Sequence, residues 1–270
     1  LTAGGLLAVL AARLRRTKVL LIYADDYVAF YAQKSRLAGW LTARLANPLV
    51  AHLAHKAVAT ARLLAEDLRP YKPDVIHLPN GCDVSRLAGL PAKGGGVFTV
   101  GFVGGFGHWV DFESVLAVAE RLPEVRFILV GGGDRFEEVK AASAGAPNVS
   151  LTGQVGYDTV LEQYARMDVC LIPFAVNRLT DRVSPIKLVE SWAAGRPVVS
   201  APLAEVKATA GLDGALYYDD ADSLAAAIEK LRTDPSLADA LIEAGQRRLA
   251  DHDWSRLMER YWEILAGMGL

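Results

Sequence analysis

The sequence predicts an α/β protein: one complete, doubly wound parallel sheet covered by helices, preceded by the C-terminal part of a second Rossmann-like domain. Three observations carry this. From Val97 onward, near-continuous apolar runs alternate with segments of helical spacing, the pattern of strands buried on both faces and linked by helical crossovers. Two of the runs end in glycine clusters, where a chain turns sharply out of a strand. The first 92 residues hold too few strands to shield a sheet of their own.

In chain order, Lys18–Tyr23 (KVLLIY) reads as a strand and Leu41–Leu68 as mostly helical. Val75–Leu78 is a short strand closed by the turn signal Pro79-Asn80-Gly81. Leu90–Gly96 (LPAKGGG) has linker composition. Strands then follow at Val97–Val103, Arg126–Val130, Val149–Leu151, Val169–Ile172, Arg196–Ser200 and Ala215–Tyr218. The helices between them are Phe112–Arg121, about Asp134 to Ser143, Thr159–Met167 and Pro185–Ala194, with Ser223–Thr233, Pro235–Leu249 and Trp254–Ala266 at the end. The domains expected are 1–92, 93–250, and 251–270 as a C-terminal helix packing back towards the first. The chain opens at Leu1 in what reads as mid-domain sequence, so it is taken as a piece of a longer protein, N-terminally truncated.

Composition sets outer bounds. Hydrophobic residues at 52% and charged residues at 22% exclude a disordered tail, a collagen and a coiled coil. Cys82 and Cys170 lie 88 positions apart with no CxxC or Cys/His cluster, against a disulfide scaffold or a zinc site and in favour of a reducing cytoplasm. No stretch reaches the roughly 18 apolar residues of a membrane span. Net charge is +6 over residues 1–92 and −8 beyond, which suggests two surfaces with different tasks. Leu6, Leu7, Leu10 and Leu14 fall at helical spacing, with Arg13, Arg15, Arg16 and Lys18 crowding the end of that segment. Such a helix either covers a sheet or lies on an anionic membrane surface.

Ligands of open α/β sheets bind beyond the carboxyl ends of the strands. The first such loop is Gly101-Phe-Val-Gly104-Gly105-Phe-Gly107-His108; it is no dinucleotide fingerprint, because Val110 stands where GxGxxG needs glycine, and Gly131-x-Gly133 likewise runs into Phe136. Its glycines suit either a tight turn or close approach of backbone to phosphate. The most informative stretch is Asp181–Ser200. Ser184 suits an N-cap and Pro185 the first helical position. The free N–H groups of Ile186 and Lys187 would then meet an anion at a positive helix end. Lys187, Arg182 and Arg178 add charge, and Glu190, a turn further in, can accept two hydrogen bonds from a vicinal diol. Together these describe a nucleoside diphosphate with its ribose. The same spacing also fits a plain surface pair of Lys187 and Glu190 at i, i+3. Asp25 and Asp26 follow the first strand, as a base facing an acceptor hydroxyl or as a turn and cap. His108, beside Trp109, is read as a satisfied loop histidine or as a side chain reaching into the cleft.

Over most of its length the chain resembles the family 4-type glycosyltransferases of GT-B architecture, in which two facing Rossmann-like domains bind a nucleotide sugar in the cleft between them. The resemblance rests on Leu78-Pro-Asn-Gly-Cys-Asp83, Gly101-Phe-Val-Gly104, Ile128-Leu-Val-Gly-Gly-Gly133 and Val149-Ser-Leu-Thr-Gly-Gln154. It continues through Met167-Asp-Val-Cys-Leu-Ile-Pro173, Glu190-Ser-Trp-Ala-Ala-Gly-Arg-Pro-Val-Val199 and Trp254, at the opening of the last helix. It implies that Glu190, the second glutamate of an E-x7-E motif, holds the donor ribose. Arg182 stands where that motif has a glutamate contacting the donor sugar, and Gly105 where the family has an arginine. The variant Ser-Pro-x-Lys-Leu-x-Glu looks like a bacterial polysaccharide or teichuronic acid-type branch.

By the same resemblance, Gly153, Gln154 and Val155 match the loop whose backbone meets the base, and Tyr23–Tyr27 matches the stretch holding Asp25 and Asp26. Residues 1–92 become the acceptor side and 93–250 the donor domain. The expected function is transfer of a sugar from a nucleoside-diphosphate sugar, a UDP- or GDP-sugar, to a sugar or lipid-linked acceptor in cell-surface polysaccharide or glycoconjugate synthesis. No metal, further cofactor or nucleic acid is expected, and the place of work would be the cytoplasm or the inner face of the cell membrane. A sugar-nucleotide epimerase of the same fold and a non-catalytic nucleotide-sugar binding module are the rival readings.

Overall fold

A computed structural model describes residues 3–91 and 95–269; within the expected linker, residues 92–94 lie outside the described residues. The chain forms two compact units. The first takes the chain up to Gly81, Asn177–Ser184, and Trp254 onward; the second takes Cys82–Val176 and Pro185–Asp253.

The first unit holds three parallel strands in the order β1 (Leu20–Tyr23), β2 (Lys56–Ala59), β3 (Ile76–His77). β2 corrects the helical reading of 41–68. Its sequence, KAVA, has little β preference, but the central position buries Ala57, Val58 and Ala59 completely and pairs both edges, and tertiary context overrides weak propensity. His55 fixes the entry: its N–H donates to Val19 O, and its Nδ1 accepts from Val19 N–H at 2.9 Å. Around β2 the segment remains helical, at Asn47–Leu53 and Arg62–Leu68. The helix Ala3–Leu14 packs Leu6 and Val9 against the core formed by Leu21, Tyr23, Val50 and Leu64. Leu257, Tyr261 and Ile264 of the helix Trp254–Ala266 pack on Val58, Leu78, Leu20 and Ile76. Of the four leucines at helical spacing, only Leu6 joins this cover, beside Val9, while Leu7, Leu10 and Leu14 are left exposed.

The second unit is the doubly wound α/β domain. Its six parallel strands are β4 (Thr99–Val103), β5 (Arg126–Val130), β6 (Val149–Leu151), β7 (Val169–Ile172), β8 (Val198–Ser200) and β9 (Leu216–Tyr217). They lie in the order β6-β5-β4-β7-β8-β9. The order reverses between β4 and β7, the switch point beyond which ligands of such sheets sit. Residues 82–91 pack with this unit: Cys82 N–H donates to His252 O at 3.0 Å, Leu87 enters the core, and Arg196 Nη2 donates to Pro91 O at 3.0 Å. The units therefore divide at Gly81, ahead of the linker composition at 90–96. Trp192 is wholly buried, and its indole N–H donates to Gly214 O at 2.9 Å; a Cβ at Gly245 would stand 2.2 Å from the ring, so a helix glycine is required there. The α/β class with parallel sheets is thus observed, unit by unit.

Candidate functional site

Three loops meet beyond the carboxyl ends of β4, β5 and β6. Phe106 N–H donates to Gly132 O at 2.8 Å, Gly131 N–H to Gly153 O at 3.2 Å, and Arg135 N–H to Phe106 O at 3.0 Å. The loops press so closely that Gly131 (φ +133°) would place a Cβ 1.9 Å from Gly104 O. Gly133 (φ +147°) would place one 2.9 Å from Phe106 O. These glycines serve loop–loop packing. Gly105 differs: a Cβ there meets nothing nearer than Trp109, at 3.9 Å. The buried guanidinium of Arg135 braces the arrangement, donating to Val110 O at 3.0 Å and pairing with Glu113 and Glu138.

The loops enclose a cavity of about 330 Å³, lined by Gly104 and Gly105, Val130–Gly133, Gln154 and Val155, Val160 and Lys187. Of the residues expected at a donor site, Gly104, Gly105, Gln154, Val155 and Lys187 therefore border one space. Gly153 (φ +71°) lies behind it, hydrogen-bonded to Gly131. Val103, Val130 and Val160 add apolar lining, and Gly131–Gly133 of the loop after β5 follow the same strand-end rule.

Lys187 enters from the helix Ile186–Ala193, whose first hydrogen bond closes from Leu188 N–H to Pro185 O. The N–H groups of Ile186 and Lys187 precede that bond and point out of the helix end. A Cβ at Gly104 would stand 3.5 Å from Lys187 Cε. On its other side Lys187 Nζ lies 3.4 Å from Glu190 Oε2, so the i, i+3 pair forms as well. Glu190 is 8% exposed and borders Lys187 rather than lining the cavity. Tyr164, absent from the sequence reading, donates its O–H to the same Oε2 at 3.2 Å.

Three expectations are corrected. Ser184 does not cap the helix: Pro185 occupies the N-cap position, and the buried Ser184 Oγ accepts from Asn80 N–H at 3.0 Å within the first unit. Arg182 and Arg178 are not free for phosphate, because carboxylates of their own unit neutralise them. Arg182 Nε lies 3.0 Å from Asp67, and Arg178 Nε lies 2.8 Å from Asp26. Asp26 is consequently no base: it is buried, paired with Arg178, and caps the helix Tyr27–Lys34 by accepting from Ala29 N–H at 2.9 Å. Asp25 stays exposed, with its carboxyl pushed above the usual range by surrounding protein. His108 is exposed and does not line the cavity. Among the described residues, no group of three or more His, Cys, Asp or Glu converges as a metal site.

Residues 97–234, just over half of the chain and all six strands of the second unit, match the family described as Glycosyl transferases group 1. The chain belongs to that family. It is 29% identical over 214 residues to a phosphatidyl-myo-inositol mannosyltransferase of Mycolicibacterium smegmatis, covering 73% of this chain and 54% of that one. It is 31% identical over 109 residues to the putative teichuronic acid biosynthesis glycosyltransferase TuaH of Bacillus subtilis, covering 38% and 26%. The chain thus spans about half the length of the mannosyltransferase relatives it matches. The fold is shared with Anabaena Alr3699/HepE, solved in complex with UDP and glucose (TM-score 0.79, 16% identity, covering 98% of this chain and 76% of that one). It is shared also with sucrose-phosphate synthase from Thermosynechococcus elongatus (TM-score 0.73, 21% identity, 96% and 70%).

Proposed function

We propose that the second unit binds the nucleoside-diphosphate sugar of a hexosyltransferase, and that the whole protein passes the sugar to an acceptor hydroxyl in cell-surface polysaccharide or glycoconjugate synthesis. The observation that carries this is the placing of Lys187 between the glycine loops and Glu190. Transfer leaves negative charge on the departing diphosphate, and helix-end N–H groups with a lysine ammonium stabilise charge there. The open space at Gly105 lets backbone approach the phosphates. Glu190 would take the ribose hydroxyls, and Gln154 and Val155 the base. Asp25 is the exposed carboxylate after β1 left for the acceptor side. Relatives whose names include mannosyl transfer to phosphatidyl-myo-inositol and teichuronic acid biosynthesis support a lipid-linked or polysaccharide acceptor, and with it a peripheral contact at the inner face of the membrane.

Product analysis with a panel of UDP- and GDP-sugars on the full-length protein tests the reading. Glycoside formed with release of nucleoside diphosphate supports it. An epimerised donor, or binding without turnover, refutes it.

A further inference from the structure

Glu190 is held by two donors on one oxygen. Tyr164 O–H, at 3.2 Å, and Lys187 Nζ, at 3.4 Å, both meet Oε2. Among the described residues, Oε1 has no hydrogen-bond partner. Tyr164 is itself immobilised. Its ring is wholly buried at the end of the helix Tyr157–Ala165. The buried Arg196 clamps the backbone there, with Nε donating to Tyr164 O at 3.1 Å and Nη2 to Ala165 O at 3.3 Å. Burial and the charge of Glu190 hold the phenol protonated, well above the ordinary tyrosine range. It is therefore a permanent donor to the carboxylate.

The two donors differ in what a ligand does to them. Lys187 borders the cavity, and an arriving diphosphate competes with Glu190 for its ammonium. Tyr164 is not among the cavity-lining residues and has no such competitor. We propose that Tyr164 is a positioning residue for the donor: it keeps Glu190 Oε2 occupied when Lys187 turns to the diphosphate, so that Oε1 stays presented to the vicinal diol. This rests on the donor-site reading above.

The test is calorimetry with UDP and 2′,3′-dideoxy-UDP, repeated with the guanosine pair, on wild type, Tyr164→Phe, Glu190→Ala and the double variant. Removing one hydroxyl from a buried ring leaves the packing in place, and thermal unfolding verifies it. Tyr164→Phe should weaken the ribonucleotide about tenfold, the scale of one hydrogen bond to a charged group. It should leave the dideoxynucleotide unchanged and cost nothing further once Glu190 is alanine. Equal weakening of both ligands, or an undiminished affinity for the ribonucleotide, overturns the inference and leaves the donor site standing. Wild-type protein that binds neither UDP nor GDP overturns both.

Discussion

Glu190 and Lys187 sit three residues apart on one helix, and each limits what the other can do alone. A carboxylate that is 8% exposed needs donors, and it has Lys187 and Tyr164. Glu190→Ala should weaken UDP or GDP by about 1.5–3 kcal/mol, the scale of charge-assisted hydrogen bonds, while the fold survives; calorimetry with the bare nucleotide measures it. Lys187→Ala should weaken UDP far more than uridine, since the nucleoside presents no anion. Equal losses for the two ligands would mark a packing defect instead.

At the scale of elements, the glycine loops divide into positions that hold the fold and one that borders the ligand. Gly131→Ala should cost at least about 3 kcal/mol, because its Cβ collides with backbone at a positive φ. Gly105→Val meets no such obstacle, so it should unfold like wild type and bind UDP poorly; chemical denaturation beside calorimetry separates the two. The Arg135 brace adds a pH signature. Hydrogen bonds from Arg135 hold the Glu113 and Glu138 carboxyls below the ordinary glutamate range. A carboxylate depressed in the folded state stabilises above its unfolded value, near 4.5, and this contribution fades as pH falls further. The variant carrying Glu113→Gln and Glu138→Gln should therefore lose less of its melting temperature than wild type between pH 7 and pH 3.

At the scale of the whole molecule, the first unit carries an unusual surface. Residues 27–65 contain no Asp or Glu but do contain Lys34, Arg36, Arg44, Lys56 and Arg62. In the same stretch Leu37 is 64%, Trp40 54% and Leu45 58% exposed. Leu7, Leu10 and Leu14 add a second exposed stripe ahead of Arg15, Arg16 and Lys18. Apolar side chains among cations suit an anionic lipid surface, at about 1 kcal/mol per basic residue near it. Sedimentation should therefore rise with the anionic fraction of liposomes and fall with salt, and Trp40→Ala should reduce it. Binding indifferent to lipid charge and salt would leave these helices as sheet cover alone.

The sequence by itself determined the second unit closely. Phe112–Arg121, β5, β6 and β7 lie where apolar periodicity placed them, because strands buried on both faces leave a local signal that few other structures produce. It also brought out Lys187, Glu190 and the glycine loops, since helix ends and strand ends follow local rules. Tertiary structure decided the rest. β2 is a strand because two neighbours pair with it, despite helix-forming alanines. Arg178, Arg182 and Asp26 neutralise one another although more than 150 positions separate Asp26 from either arginine, and Asp67 shares in the cluster. Tyr164 reaches Glu190 across 26 positions. Charges and hydrogen bonds act through a few ångströms of space, and local sequence cannot say which distant side chains the fold will bring within that range.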